Sequence, residues 1–197
     1  VSQAQEACTR LSDGNARFAA GQTPQPLPKG RRAELSQGQS PFAIILSCSD
    51  SRVAPEAVFD QPLGELFVVR VAGNIAGPSQ VASIEYAVEK FGCPLVLVLG
   101  HTNCGAIRAM LESLDTGDTP QSLVCLFDEL CPAAESISSD APDRINEVAE
   151  AHVRATVAKL LNTSSTIRAR VSSGNLGVQA ALYSLATGEV AFLDETP

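Results

Sequence analysis

Three short apolar runs constrain this chain more than anything else in it: Phe42–Ser47 (FAIILS), Leu66–Val71 (LFVVRV) and Pro94–Gly100 (PLVLVLG). None alternates polar with apolar residues, so each reads as a strand buried on both faces. Such strands belong to parallel sheets, whose crossover connections are long enough to carry helices that cover the faces. The connections here fit. Ser79–Phe91 places Val81, Ile84, Ala87, Val88 and Phe91 at helical spacing, and Gly105–Leu114 reads as helix again. Leu123–Ile137 and Ala141–Leu161 follow as helices, the second polar enough to lie on the surface. Leu176–Leu185 and Glu189–Leu193 flank an Ala-Thr-Gly turn and read as two strands, the last an antiparallel edge. Ahead of the sheet, residues 2–20 carry Ala4, Cys8, Leu11, Asn15 and Phe18 on one largely apolar stripe. Thr23–Lys29, with three prolines, is an extended linker, and Arg31–Gln37 a short helix. The predicted fold is α/β: a mostly parallel central β-sheet flanked by helices, with an N-terminal helical arm and an antiparallel edge strand at the C-terminus. One domain is expected over residues 1–197, with arm and linker in 1–30.

Composition then excludes whole classes of function. At 45% hydrophobic residues the chain has enough apolar surface to fold, while no apolar run is long enough to span a bilayer. The formal net charge of −8 argues against nucleic acid or anionic lipid as partner, because gripping phosphates takes clustered positive charge. Neither a GxxxxGK[ST] nor a GxGxxG motif is present, which disfavours nucleotide chemistry. Val1–Ala20 lacks a basic start followed by an apolar block, so the cytoplasm is the expected compartment; the missing initial Met leaves room for a processed organellar or exported form.

Two segments each leave a buried strand and carry chemistry. The first is Ser47-Cys48-Ser49-Asp50-Ser51-Arg52-Val53, in which alternation along an extended chain lets Cys48, Asp50 and Arg52 share a face. The second is Gly100-His101-Thr102-Asn103-Cys104-Gly105, at a strand end and a helix start, where a spacing of three brings His101 and Cys104 together. Open α/β sheets collect their sites where strands end. Two thiolates and one imidazole form a standard zinc ligand set, and three protein ligands leave the fourth tetrahedral position open. A lone Cys at a strand end is ordinarily a small core residue; three such donors at the ends of neighbouring buried strands, beside an Asp/Arg couple, read as a metal site.

These motifs resemble the β-class carbonic anhydrases. The matching stretches are Gly38-Gln39-Ser40-Pro41, Cys48–Val53, Gly64–Arg70, Ile84–Val88 and Gly100–Gly105, densest between Gln39 and Leu111. Fainter likeness extends to Gly14–Phe18 and to the Leu185–Gly188 turn. The resemblance implies a zinc-dependent carbonate dehydratase, a lyase that interconverts CO2 and bicarbonate through hydroxide on one zinc ion per subunit. It implies Cys48, His101 and Cys104 as zinc ligands. Asp50 accepts a hydrogen bond from the hydroxide or, in an inactive state of some members, takes the fourth zinc position itself. Arg52 draws Asp50 off the metal, Gln39 donates to the substrate oxygen, and Phe67 and Tyr86 line the substrate pocket, Tyr86 from a partner subunit. A homodimer or higher even oligomer is implied as well. Two thiolates cancel the ion's formal charge, so the bound water should be less acidic than at an all-histidine site, and activity should rise with pH. One subgroup has a regulatory bicarbonate site built on a Trp; Ile45 stands in its place here.

The remaining residues have plainer readings. Arg70 lies within an apolar strand and should find a carboxylate partner. His152 should be solvated on a polar helix, and Cys8, Cys93, Cys125 and Cys131 are small buried residues. Two rival functions stay open from the sequence: a same-fold hydrolase of CS2 or COS, and a non-catalytic structural zinc protein with Asp50 as a permanent fourth ligand. Intact Arg52 and Gln39 speak against the second.

Overall fold

The computed structural model describes residues 2–22 and 27–193, so the Thr23–Pro26 part of the expected linker lies outside the described residues. The strands are β1 (Ala43–Ser47), β2 (Leu66–Arg70), β3 (Leu95–His101), β4 (Gly177–Tyr183) and β5 (Val190–Leu193). They form one sheet in the order β2-β1-β3-β4-β5. The first three pairings are parallel and β4–β5 is antiparallel, as the apolar runs predict.

β1 and β3 are buried along their whole length because helices cover both faces. On one face Ile44, Leu46, Val96 and Val98 pack with Ile84, Ala87 and Val88 of α4 (Pro78–Phe91). Val153 and Leu160 of α7 (Arg144–Thr163) and Ile167 of α8 (Ser165–Ser172) complete that layer. On the other face Ala43, Ile45, Leu95, Leu97 and Leu99 pack with Ala7 and Leu11 of α1 (Gln3–Ala19) and with Val58 and Phe59 at the end of α3 (Pro55–Val58). A third cluster, around Cys48 and Cys104, is closed by α5 (Gly105–Thr116), α6 (Val124–Ala134) and α7. The short α2 (Arg31–Leu35) sits before the sheet.

The structure departs from the expectations in several places; of the four cysteines expected to be buried only Cys93 is, while Cys125 is exposed and Cys8 and Cys131 are half-buried. β2 is an edge strand: only Leu66 is buried and Phe67, Val68 and Val69 are half-buried, so its apolar run does not mark burial on both faces. α7 is not surface-lying, since Val148, Ala149, His152, Val153, Thr156 and Leu160 form a buried face; small Gly100 lets it approach β3, and a Cβ there would come within 2.3 Å of Val153 Cγ2. α3 and α8 are not foreshadowed in the sequence, being too short for a periodic pattern to show. The polar member of the α1 stripe, Asn15, is buried and acts as a tie: Nδ2 donates to Val58 O (3.1 Å) and Gly188 O (2.8 Å), and Oδ1 accepts from Val190 N (2.8 Å). The arm thus docks on its own sheet.

Candidate metal centre

Parallel pairing puts the carboxyl ends of β1 and β3 side by side, with Ser47 opposite Leu99. The two chemistry-bearing segments leave from that end. After Ser47 the chain keeps pairing with β2 through Ser49 N to Val71 O and Val71 N to Ser47 O, which extends Cys48 along the sheet. β3 runs on to His101 before Asn103 adopts a left-handed conformation (φ 53°) and Cys104 begins α5. His101 and Cys104 are therefore joined by a tight turn rather than by a helical one. That turn is tied down on both sides: Thr102 Oγ1 accepts from Leu185 N (3.0 Å), and Asn103 N donates to Asn146 Oδ1 of α7 (2.7 Å).

The result is a buried group of three donor atoms, from Cys48, His101 and Cys104, all within 4.8 Å of one another. The His101 side chain is fully buried; its Nδ1 faces Thr102 O at 2.9 Å, so the ring proton sits there and Nε2 keeps a lone pair. Nε2 has no hydrogen-bond partner among the described residues. A buried lone pair left beside two sulfurs is the arrangement of a ligand whose outer nitrogen is fixed by a backbone carbonyl. Cys48 is equally ready. A hydrogen bond from Cys104 pulls its thiol well below the ordinary range against the effect of burial, helped by the backbone N–H groups of Asp50 and Gly73. Cys104, as the partner that keeps the proton, is raised. A soft dication would displace that proton and be met by two thiolates and an imidazole, a set that suits zinc.

Above the donors lies a charged couple. Arg52 donates three bonds to Asp50: N and Nε to Oδ1 (3.0 and 2.9 Å) and Nη2 to Oδ2 (2.8 Å). Arg52's side-chain bonds, then its backbone N–H, hold the Asp50 carboxyl well below the usual carboxylate range. Oδ2 stands 3.9 Å from His101 Nε2. Asp50 thus borders the three-donor group while engaged by Arg52. Arg70 also belongs here, and not with the carboxylate partner expected: its Nε donates to Cys48 O (3.1 Å) and its Nη2 to Asp50 O (2.8 Å). It clamps the loop that carries both residues, a role its place inside an apolar strand does not announce.

The other site residues picked from the sequence lie elsewhere in the chain. Gln39 is exposed on the loop before β1, beside a hollow of about 560 Å³ lined with Arg32, Leu35, Leu63 and Gly64. Phe67 pairs with Ile44, four residues before Cys48, or roughly 13 Å along the strand at ~3.3 Å per residue. Tyr86 is 53% exposed and packs against Phe67 and Phe91, with ring centroids at 6.3 and 5.7 Å. These residues gather at the end of the sheet opposite the donors. The residues missed from the sequence are Gly73, whose N–H donates to Cys48 Sγ (3.3 Å), and Asn146. A glycine just past a strand, in Arg70-Val71-Ala72-Gly73-Asn74, was a legible signal for the first; nothing marks Asn146.

Comparison with known proteins agrees with this geometry. Residues 43–190 match the family model described as carbonic anhydrase. The chain is 42% identical over 183 residues to a carbonic anhydrase of Mycolicibacterium smegmatis, covering 91% of this chain and 88% of that one. It is 40% identical over 186 residues to carbonic anhydrase 2 of Mycobacterium tuberculosis, covering 93% and 90%. Among solved structures, one of two tetrameric β-carbonic anhydrases of Sordaria macrospora superposes with a TM-score of 0.74 at 26% identity, covering 97% of this chain and 98% of that one.

Proposed function

We infer the working of this centre from one premise: the chain belongs to the β-carbonic anhydrase family. It is a lyase that catalyses the reversible hydration of CO2 to bicarbonate and a proton. The observation that carries the reading is the buried Cys48–His101–Cys104 donor group beneath the Asp50–Arg52 couple. Zinc is the cation proposed for it, one per subunit. Bound there, it supplies a Lewis acid that lowers the pKa of water from ~15.7 toward ~7.

The chain's own residues do the rest. Asp50, kept ionised by Arg52, can only accept. Oδ2 carries one bond from Arg52 and has a lone pair left for the attacking water, whose remaining proton it holds while turning an oxygen lone pair toward the substrate carbon. Arg52 fixes that carboxylate through a two-pronged, charge-assisted contact that Lys could not reproduce. Arg70 holds the same loop by its backbone.

CO2 is small and apolar, so its receptor should be an apolar wall with one amide donor. Phe67, Tyr86 and Gln39 have that chemistry, but within one chain they lie at the far end of the sheet. We assign them to the pocket of a neighbouring copy, with this chain working as a homodimer or a larger even assembly. No helix among the described residues is long and apolar enough to cross a membrane.

The deciding experiment pairs elemental analysis with stopped-flow CO2 hydration, before and after chelation, on wild type and Cys48→Ser. The expected result is about one zinc per chain, hydration lost on chelation and regained on adding zinc back, and little metal or activity in Cys48→Ser. Full hydration activity in rigorously metal-free protein would overturn the assignment.

A further inference from the structure

Gly73 is held from both sides. Its N–H donates to Cys48 Sγ (3.3 Å), and its carbonyl lies 2.9 Å from Nε2 of His152 on α7. A carbonyl can only accept, so Nε2 carries the proton and donates. Thr156 Oγ1, one helical turn on, lies 3.4 Å from the same nitrogen. His152 is 4% exposed, contrary to the solvated residue its polar helix suggests. None of the catalytic roles above uses it, yet it is a polar side chain placed within a packed core.

The turn it holds has one backbone bond of its own, from Asn74 N–H to Val71 O (3.0 Å). Gly73 (φ 66°) and Asn74 (φ 44°) are consecutive left-handed residues, a conformation that glycine and asparagine adopt more readily than other residues. Gly73 also lies against α6, where a Cβ would come within 3.1 Å of Leu130 Cδ2. The Gly73 N–H and C=O lie in adjacent peptide planes joined at its α-carbon, so a pinned carbonyl and a packed α-carbon together restrict how far the N–H can turn away from the Cys48 sulfur.

We propose that His152 is a positioning residue of the metal centre, which pins the Gly73 carbonyl and thereby aims the Gly73 N–H at the Cys48 thiolate. The inference rests on the reading of Cys48, His101 and Cys104 as a zinc site. An N–H bond to a ligand sulfur draws electron density from it, which leaves a bound cation more electrophilic and the thiolate harder to protonate. In a set with two thiolates, that correction opposes the charge cancellation they cause.

The test compares His152→Leu, which fills the space without a donor, with His152→Gln, whose amide can donate to the same carbonyl. Two readouts are taken besides activity: the rate of zinc release to a colorimetric chelator, and the thiolate-to-metal charge-transfer band of cobalt-substituted protein. His152→Leu should release zinc about 10–100-fold faster and shift the band, and His152→Gln should recover most of both. Zinc release within twofold of wild type and an unmoved band in a folded His152→Leu would overturn the proposal, as would a Gln variant no better than Leu. If the Leu variant does not fold, His152→Asn, an amide too short to reach Gly73, replaces it under the same criteria. A wild type without stoichiometric zinc would instead sink the metal reading, and this proposal with it.

Discussion

Asp50 and Arg52 are two residues apart, yet the couple they form decides which way a carboxylate faces. In Arg52→Ala the Asp50 carboxyl loses the two side-chain bonds that hold it and is free to swing toward the donors, from which Oδ2 is only 3.9 Å away at His101. Hydration measured by stopped flow should fall by about 10–100-fold, with zinc content unchanged; Arg52→Lys should recover little of it. His152 supports a second prediction. Burial lowers its pKa from the ordinary imidazole value. Below ~6.5 the unfolded chain takes up a proton that the folded chain resists, so this group's contribution is complete above that pH and lost as pH falls toward the folded pKa. Melting temperature should therefore drop between pH 7 and 5, and less steeply in His152→Gln; equal slopes in the two proteins would refute the link. At this scale the donors were legible because Cys, His and Cys rarely coincide at the ends of neighbouring buried strands unless an ion is to sit between them. His152 was not, because a histidine amid Glu150 and Arg154 gives no sign that its own side of the helix points inward.

Among the elements, the central strands were legible from composition and the edge was not. β1 and β2 carry equally apolar runs, and only pairing decides that one is covered on both sides while the other has a free margin. The α1 register is set by a feature of size, not of hydrophobicity. Gly14 lies so close to the end of α3 that a Cβ would come within 1.8 Å of Phe59 O, a backbone atom that cannot rotate away. Gly14→Ala should cost about 1–3 kcal/mol, read as a fall of roughly 2–12 °C in melting temperature. An unchanged melt would show that α1 is not seated against α3. A glycine within an amphipathic pattern announces only a poor helix former; that it marks a contact with the carbonyl of Phe59 is visible only once α3 exists.

The whole molecule has an unfinished margin. β2 offers its outer edge, and beside it Tyr86, half-buried Phe67 and half-buried Phe91 form an aromatic patch, with exposed Leu63 elsewhere on the surface. A bare apolar edge is a liability that soluble chains cover. If a second copy covers it, as proposed, Tyr86→Arg should give a smaller species by light scattering and lose hydration activity in parallel. A variant that dissociates yet keeps full turnover would refute the shared pocket.

The donor group also bears on how the chain matures. Cys48 and His101 are far apart in sequence and meet only when β1 lies against β3. An ion that grips both therefore staples the middle of the sheet, closing a long loop that is otherwise entropically costly to shut. Loading should raise the melting temperature and slow amide exchange most in β1 and β3. A nascent chain cannot capture its cation until both strands have emerged and paired, so metallation records a completed scaffold.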